Sequence, residues 1–373
     1  AESLEAARVD CAAYRILSTL PFTKTQAWDE SVQTLLPKRR RLQRLWQSTG
    51  VTDPLLIFKL LARARHADAV LLNGGERVDL LYLAVAGLLP WIRAPHLIVD
   101  AHWQPHGGLT GQLQRWILRL GRRLLHEVQP HSPEEIDVYV SHFGVDRRVI
   151  RPLPWSTSLN GYHITPREPR ANEAVSGGFS YRDYPTLFEA MRRCGLPLRV
   201  GLPPSRATER ARKQTADCAH IRIVSDWSFQ QYWQAVADAR VFVMALTPGL
   251  RRCSADQTLL NAMSFGTVVV ATDSMSSRLY IRDGENGFLV PENDPQALAD
   301  TLRRVFTLAP QDYQRISEQA ALDVQTHYRE EQRLARTLQR ALTAARHYRA
   351  QRAQTLSRPT RAARVFGMLA LLL

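Results

Sequence analysis

The chain has 373 residues, a formal net charge of +14, and a composition that is 45% hydrophobic and 23% charged. Such a composition excludes an intrinsically disordered protein, and the length is enough for two domains. Four scattered cysteines without a CxxC pair exclude a disulfide framework and a structural zinc site. No run of 18 apolar residues could span a membrane and no signal peptide opens the chain, although its first residue is not methionine.

Arginine carries nearly all of the positive charge, because the sequence contains only four lysines. One interpretation is contact with an anionic partner, such as a lipid surface, a nucleotide diphosphate or nucleic acid. The other is a solvated surface without a specific partner. No nucleic-acid recognition motif accompanies the arginines, so we do not expect nucleic acid as the partner.

The first half of the chain alternates short apolar runs with helical patterns. We predict strands at Tyr14–Leu20, Ala69–Leu72 and His96–Val99, with a helix at Val78–Leu89 between the last two. The alternation predicts a parallel sheet covered by helices.

The loop after the predicted strand His96–Val99 contains Asp100, His102, Trp103 and His106. Ligand sites gather where parallel strands end, so this loop is the best candidate site in the first half. We favour His102 over His106; the alternative is a histidine that only packs or caps the loop. Asp100 and His102 alone are too few ligands for a metal site.

Two segments combine arginines with aromatic or aliphatic residues, Lys38–Trp46 and Gly111–Leu125. Each is interpreted either as an ordinary helix with a buried face or as a helix on a membrane surface. The predicted apolar stripe of the second comprises Leu113, Trp116, Ile117, Leu120 and Leu124.

A second alternation follows the proline-rich segment Pro152–Pro169, and its last part is the most informative. Polar residues from Cys253 lead into a predicted helix, Gln257–Phe265, which Gly266 ends. The run Thr267–Thr272, TVVVAT, predicts a buried parallel strand. The N-terminus of the helix has unpaired N–H groups and the positive end of its dipole, so it favours a bound phosphate.

Two sequence segments resemble the donor-binding half of the family 4 glycosyltransferases, which are retaining enzymes. They are NAMSFGTVVVATD and YIRDGENGFLVPENDPQALAD. The resemblance implies the α/β fold called GT-B, with two Rossmann-like domains whose parallel sheets face a central cleft. We expect an acceptor domain at 1–155, a linker at 156–175 and a donor domain at 176–310. Helices at 311–345 would return to the first domain, and 346–373 would form a basic and apolar tail.

The resemblance also implies site residues. Gly177, Gly178 and Arg182 would contact the donor diphosphate, and His102 would approach the donor sugar from the opposite domain. The family carries two glutamates eight positions apart, where this chain has Cys253 and Asn261.

At the helix N-terminus we expect the backbone N–H groups of Gln257, Thr258 and Leu259 to bind the diphosphate. Asn261 would hydrogen-bond the ribose, and Cys253 and Ser254 are candidate contacts for the sugar. No metal and no cofactor are expected beside the nucleotide-sugar donor.

The expected activity is transfer of a hexose, with retention, from a nucleotide-diphosphate sugar to a glycan or a lipid-linked acceptor in polysaccharide biosynthesis. We expect a cytoplasmic protein that contacts the anionic inner face of the membrane through its arginine-rich helices and tail. A nucleotide-sugar 2-epimerase of the same fold, or a member that has lost catalysis and only binds partners, are the alternatives. The missing glutamates favour the last of these.

Overall fold

The computed structural model describes residues 14–20, 28, 32–36, 53–75, 77–159, 162–168 and 170–357. Two parallel sheets lie in sequence along this part of the chain. The first has the strand order β2-β1-β3-β4-β5. Its strands are β1 (Ile16–Ser18), β2 (Val32–Thr34), β3 (Ala69–Asn73), β4 (His96–Val99) and β5 (Leu125–Val128).

The second sheet has the order β11-β10-β9-β6-β7-β8, and every neighbouring pair is parallel. Its strands are β6 (Ala171–Gly177), β7 (Leu198–Gly201), β8 (Ile221–Val224), β9 (Ala239–Met244), β10 (Val268–Thr272) and β11 (Phe288–Val290). The order reverses between β6 and β9, as in dinucleotide-binding folds. The α/β class predicted from the alternation is therefore confirmed.

Helices cover both sheets. Those following the strands of the first sheet are α1 (Pro54–Ala64), α2 (Arg77–Leu88), α3 (Gly108–Gly121) and α4 (Ile136–Ser141). Those of the second are α5 (Tyr184–Cys194), α6 (Arg206–Gln214), α7 (Phe229–Asp238), α8 (Asp256–Ser264), α9 (Met275–Tyr280) and α10 (Pro295–Phe306). Two longer helices end the described chain, α11 (Pro310–His327) and α12 (Glu330–Ser357).

Local signals placed most element ends to within a few residues. Gly266 follows α8 with φ +68°, the left-handed conformation predicted for a residue that ends a helix. The apolar pattern of Arg148–Leu153 also predicts a strand there, but this prediction is wrong, because Arg147–Val149 form a 3-10 helix that Asp146 caps. Only Ile150 pairs with a strand, in an isolated bridge to Val128.

Two predicted domain limits need correction. The second sheet begins at Ala171, inside the predicted linker 156–175, because β6 pairs with β9 from Ala171 onward and buries Ala174 in the second core. Helix α11 stays with the second domain: Ile316 lies in its core beneath the sheet. Only α12 returns to the first domain, where Leu338 and Ala341 are buried beside β1 and β4.

Part of the predicted tail belongs to α12 and packs on the first domain. Arg349 donates to the Asp68 carboxylate at 2.5 Å and its guanidinium stacks on Tyr14. The basic segment Lys38–Trp46 and the residues from 358 onward lie outside the described residues. Among the described helices, none is long and apolar enough to cross a membrane.

Helix α3 buries less of its predicted apolar stripe than a core helix would. Leu124 is buried and Ile117 and Leu120 are half-buried, but Leu113 and Trp116 are 54% and 57% exposed, and Leu109 at the start of the helix is 83% exposed. The N-terminal part of the stripe is therefore an apolar surface on the first domain, while its C-terminal end packs in the core.

Candidate functional site

The loops that follow strands β4, β5, β6 and β9 meet between the two domains. In each sheet these are the carboxyl ends of central strands, and β6 and β9 flank the point where the order of the second sheet reverses. Such a point leaves a crevice, because the two chain crossovers run in opposite directions.

A cavity of about 270 Å³ lies in this crevice. His102, His131 and Trp155 line it on the side of the first domain. Two loops of the second domain line the other side. The loop after β6 contributes Gly178, Phe179, Ser180 and Arg182, and the segment at the start of α8 contributes Arg252, Cys253, Ser254, Ala255, Asp256, Gln257 and Thr258. The cavity therefore brings together seven of the predicted site residues: His102, Gly178, Arg182, Cys253, Ser254, Gln257 and Thr258.

The N-terminus of α8 forms one wall of the cavity. Hydrogen bonding within this helix begins at the Leu259 N–H, which donates to the Ala255 carbonyl at 3.0 Å. Gln257 and Thr258 precede that bond, so their N–H groups have no partner within the helix. The prediction for Leu259 is wrong, because its N–H is already used and its side chain is fully buried.

Arg182 crosses from the β6 loop to the N-terminus of α8. Its guanidinium donates to the carbonyls of Gly177 and Ser180 at 3.0 and 2.9 Å, and to Thr258 Oγ1 at 3.3 Å. Gly178 has φ +98°, and a Cβ there would lie 2.7 Å from a terminal guanidinium nitrogen. Glycine is thus required beside Arg182 both for the backbone conformation and for space.

His102 enters the cavity from the opposite side. Its Nδ1 donates to the Asp100 carbonyl at 2.6 Å, which leaves Nε2 as an acceptor. Burial, with the charges of Arg252 and His131, lowers the pKa of His102 to about 3. The imidazole is therefore neutral at physiological pH and can accept a hydrogen bond from a hydroxyl group. The imidazole packs against Gly75. A Cβ added at Gly75 would lie 2.7 Å from His102 Cε1.

At the floor of the cavity, four charged side chains from four parts of the chain form a buried group, here called the interdomain quartet: Asp100, His131, Asp256 and Arg333. His131 Nδ1 lies 3.0 Å from Asp256 Oδ2, and its Nε2 lies 3.7 Å from Asp100 Oδ1. Arg333 of α12 contacts Asp100. Trp155 lies between the two cations, with the Arg333 guanidinium 4.4 Å from its ring.

The His131–Asp256 pair of the quartet is held in its charged form. Burial alone would lower the pKa of His131, but the hydrogen bond and the negative charge of Asp256 outweigh it and raise the pKa. Burial alone would raise the pKa of Asp256, but His131 and Ser276 lower it. Ser276 Oγ donates to Asp256 at 2.6 Å. The charge of protonated His131 offsets that of Asp256, so the carboxylate adds no uncompensated negative charge to the cavity wall at the N-terminus of α8.

The loop before α8 is fixed to the first domain. The Cys253 N–H donates to Glu135 Oε1 at 3.0 Å, and Ser254 accepts a hydrogen bond from Ser276 through its carbonyl. Burial and nearby carboxylates raise the pKa of the Cys253 thiol, so it is neutral. Cys253 and Ser254 both line the cavity without a free charge.

Besides Leu259, two predicted residues do not reach the cavity. Asn261 is fully buried and its amide is used by Ser158, with the Ser158 N–H donating to Oδ1 at 3.1 Å and Nδ2 donating to Ser158 Oγ at 3.2 Å. Gly177 ends β6, and a Cβ there would lie 2.6 Å from the ring of Tyr232. Their predicted contacts with the ribose and the diphosphate need correction, because protein atoms already occupy these positions.

Sequence reasoning missed His131, Trp155 and Arg252. His131 follows β5 as His102 follows β4, so the rule that singled out the first could have found the second. Trp155 lies in the proline-rich segment Pro152–Pro169, which carries no periodic signal. Arg252 is one of two consecutive arginines, and the sequence alone does not tell which of them faces inward.

The backbone is strained around the cavity. Among described non-glycine residues, Asp100, Tyr181, Ala255 and Asn293 have positive φ, and the first three belong to the loops that build the cavity or its floor. Each costs of the order of 1 kcal/mol, and such strain tends to collect at functional sites.

Comparisons with known proteins agree with this architecture. Residues 198–307, from β7 to just past α10, match the family model described as "Glycosyl transferases group 1". No curated protein sequence matches the chain.

Several solved structures share the fold. A glycosyltransferase from Rickettsia africae is 15% identical with a TM-score of 0.64, covering 91% of this chain and 94% of that one. HepE from Anabaena, in complex with UDP-glucose, is 15% identical with a TM-score of 0.64 and coverages of 92% and 99%.

The sucrose-phosphate synthase of Thermosynechococcus elongatus is 17% identical, with a TM-score of 0.62 and coverages of 94% and 93%. Identities this low establish the fold and not the reaction. The chain therefore has the two-domain GT-B fold of glycosyltransferases, and residues 198–307 of its second domain match the group 1 family model.

Proposed function

We propose that the protein is a glycosyltransferase that takes a sugar from a nucleotide-diphosphate donor. One observation carries the proposal: the cavity joins the open N-terminus of α8 and Arg182 on one side to the neutral His102 on the other. HepE has been solved with UDP-glucose in the same fold, which supports this class of donor.

The residues present fit departure of a diphosphate. As the glycosidic bond breaks, negative charge grows on the phosphate oxygen, and the Gln257 and Thr258 N–H groups with Arg182 would stabilise it. Protein groups would thus do the work of a metal ion, and we propose transfer that needs none. His102 Nε2 would accept a hydrogen bond from a sugar hydroxyl and orient the sugar.

We further propose retention of the anomeric configuration and a lipid-linked acceptor. Retention rests on the resemblance of the helix α8 and strand β10 region. The acceptor rests on α3, whose exposed residues Leu109, Leu113 and Trp116 have the spacing of one helix face. Exposed arginines, Arg115, Arg119 and Arg122, lie on the same helix, so it combines apolar and basic groups as membrane-surface helices do.

The first test measures the melting temperature with UDP, GDP, ADP and their sugars, and then donor turnover with and without acceptor in the presence of EDTA. A nucleoside diphosphate that raises the melting temperature, with donor cleavage that survives EDTA, supports the proposal. Isomerisation of the donor without acceptor would identify an epimerase instead. Absence of both binding and turnover across the panel would contradict a glycosyltransferase.

A further inference from the structure

The charges of the cavity are unequally compensated. Asp256 is its one carboxylate among the described lining residues, and the interdomain quartet neutralises it. His102 is neutral, and Cys253 is a neutral thiol. Two positive charges remain, those of Arg182 and Arg252.

Arg252 is held in place without being fully used. Its Nε donates to the Cys253 carbonyl at 3.0 Å, and its guanidinium lies 5.2 Å from the centre of the Tyr181 ring. Within the part of the chain that the structure describes, its two terminal nitrogens have no hydrogen-bonding partner. Each of these nitrogens carries two N–H bonds, so the guanidinium has four free donors. Their planar arrangement suits the oxygens of a phosphate group.

The position of Arg252 is set by both domains. Tyr181 is the neighbour of Arg182, while the Cys253 backbone is tied to Glu135 of the first domain. The charge of Arg252 is also close enough to His102 to lower its pKa. Arg252 therefore stands between the proposed diphosphate side and the proposed sugar side of the cavity.

We propose that Arg252 is a second cationic ligand of the donor diphosphate and acts with Arg182 on the phosphate that carries the sugar. This proposal rests on the proposed function. A diphosphate joined to a nucleoside and a sugar carries two negative charges, which the two uncompensated arginines match. The match implies a donor whose sugar is uncharged, because a sugar carboxylate would be left without a cation.

The test compares Arg252→Gln with wild-type protein, using Arg251→Gln as the control. Arg251 is the adjacent arginine, and it is exposed and does not line the cavity. Calorimetry measures the affinity for UDP and for UMP, which lacks the second phosphate; GDP and GMP replace them if the guanine nucleotide binds more tightly. Melting temperatures without ligand check that each variant is folded.

We expect Arg252→Gln to weaken UDP binding about tenfold or more and UMP binding by less than about threefold, since charge-assisted hydrogen bonds are strong. Arg252→Lys should give an intermediate loss, because an ammonium keeps the charge but not the fork. Arg251→Gln should change neither affinity.

Equal UDP affinity in Arg252→Gln and wild type would overturn the assignment, as would an equal loss for UDP and UMP. A further experiment compares the turnover of UDP-glucose and UDP-glucuronate by wild-type protein and by Arg252→Gln. A defect of Arg252→Gln confined to UDP-glucuronate would show that Arg252 reads a sugar carboxylate and would also overturn it. Wild-type protein that binds no nucleoside diphosphate would instead contradict the proposed function itself.

Discussion

His131 Nδ1 of the first domain lies 3.0 Å from Asp256 Oδ2 at the N-terminus of α8. A carboxylate at that helix end would repel a phosphate if it were free. Here it lines the cavity but is paired with His131 in a buried contact, so the same contact offsets the repulsion and joins the two domains.

The first prediction concerns the pH dependence of stability. The raised pKa of His131 means that its stabilising effect is full below its unfolded value near 6.5 and declines as the pH rises through the folded value. The lowered pKa of Asp256 means that its effect is full above 3.8 and declines at lower pH. The melting-temperature difference between wild type and His131→Asn should therefore be largest between about pH 4 and 6.5 and should shrink towards pH 9.

The control for this prediction is the other interdomain pair, Glu134 with Arg278, which is half exposed. Solvent screens such pairs, so Glu134→Gln should cost no more than about 1 kcal/mol. Asp256→Ala leaves His131 buried without its partner and should cost about 3 kcal/mol. A pH-independent difference for His131→Asn would contradict the charged pair.

A second prediction uses glycine to move His102. In Gly75→Ala the new Cβ would meet the imidazole 2.7 Å from Cε1, and the ring is the part that can give way. We expect kcat/KM to fall about tenfold or more through loss of alignment, with little change in melting temperature. Gly107→Ala is the control, because nothing lies within 4 Å of its Cβ and its φ is −80°. An unchanged kcat/KM in Gly75→Ala would contradict a role for His102 in the reaction.

A third prediction concerns Arg182. Its removal in Arg182→Ala should weaken nucleoside diphosphate binding by roughly 10- to 100-fold, measured by calorimetry. Gly178→Ala should weaken the same binding by a smaller factor, because its Cβ would displace the Arg182 guanidinium. The double variant should be no weaker than Arg182→Ala, since both changes act on one group. Arg206→Ala, at an exposed position on α6, should have no effect, and unaltered affinity in Arg182→Ala would rule out its assigned role.

A fourth prediction tests the corrected place of Asn261. Because its amide bonds Ser158 and not the cavity, Asn261→Ala should lower the free energy of unfolding by about 1–3 kcal/mol. The affinity of the folded variant for UDP should stay within about twofold of wild type. A large loss of UDP affinity with unchanged stability would contradict this prediction and would support the ribose contact that the family resemblance implies.

A fifth prediction concerns the exposed face of α3. Sedimentation with vesicles containing phosphatidylglycerol should recover wild-type protein, and Arg119→Gln should weaken binding about fivefold, since each basic residue near an anionic surface adds about 1 kcal/mol. Trp116→Ala should also weaken it. Leu322→Ser is the control, being similarly exposed but on α11 of the second domain. Equal recovery from neutral and anionic vesicles would contradict the proposed surface.

The sequence by itself determined the class of fold and the helix α8 whose N-terminus forms a wall of the cavity. Apolar strand runs such as Thr267–Thr272, and a glycine such as Gly266 that ends a helix, are local signals whose cause lies within a few residues. The rule that sites lie at strand ends was enough to pick out His102, while Arg182 came from the family resemblance.

Tertiary structure decided what each side chain near that helix can do. Asn261 and Leu259 have suitable chemistry, but a linker serine and the helix backbone already use their polar groups. Arg252 and His131 gain their places only when loops more than a hundred residues apart meet between the domains. Such contacts depend on how two domains pack, and no local pattern of residues encodes that geometry.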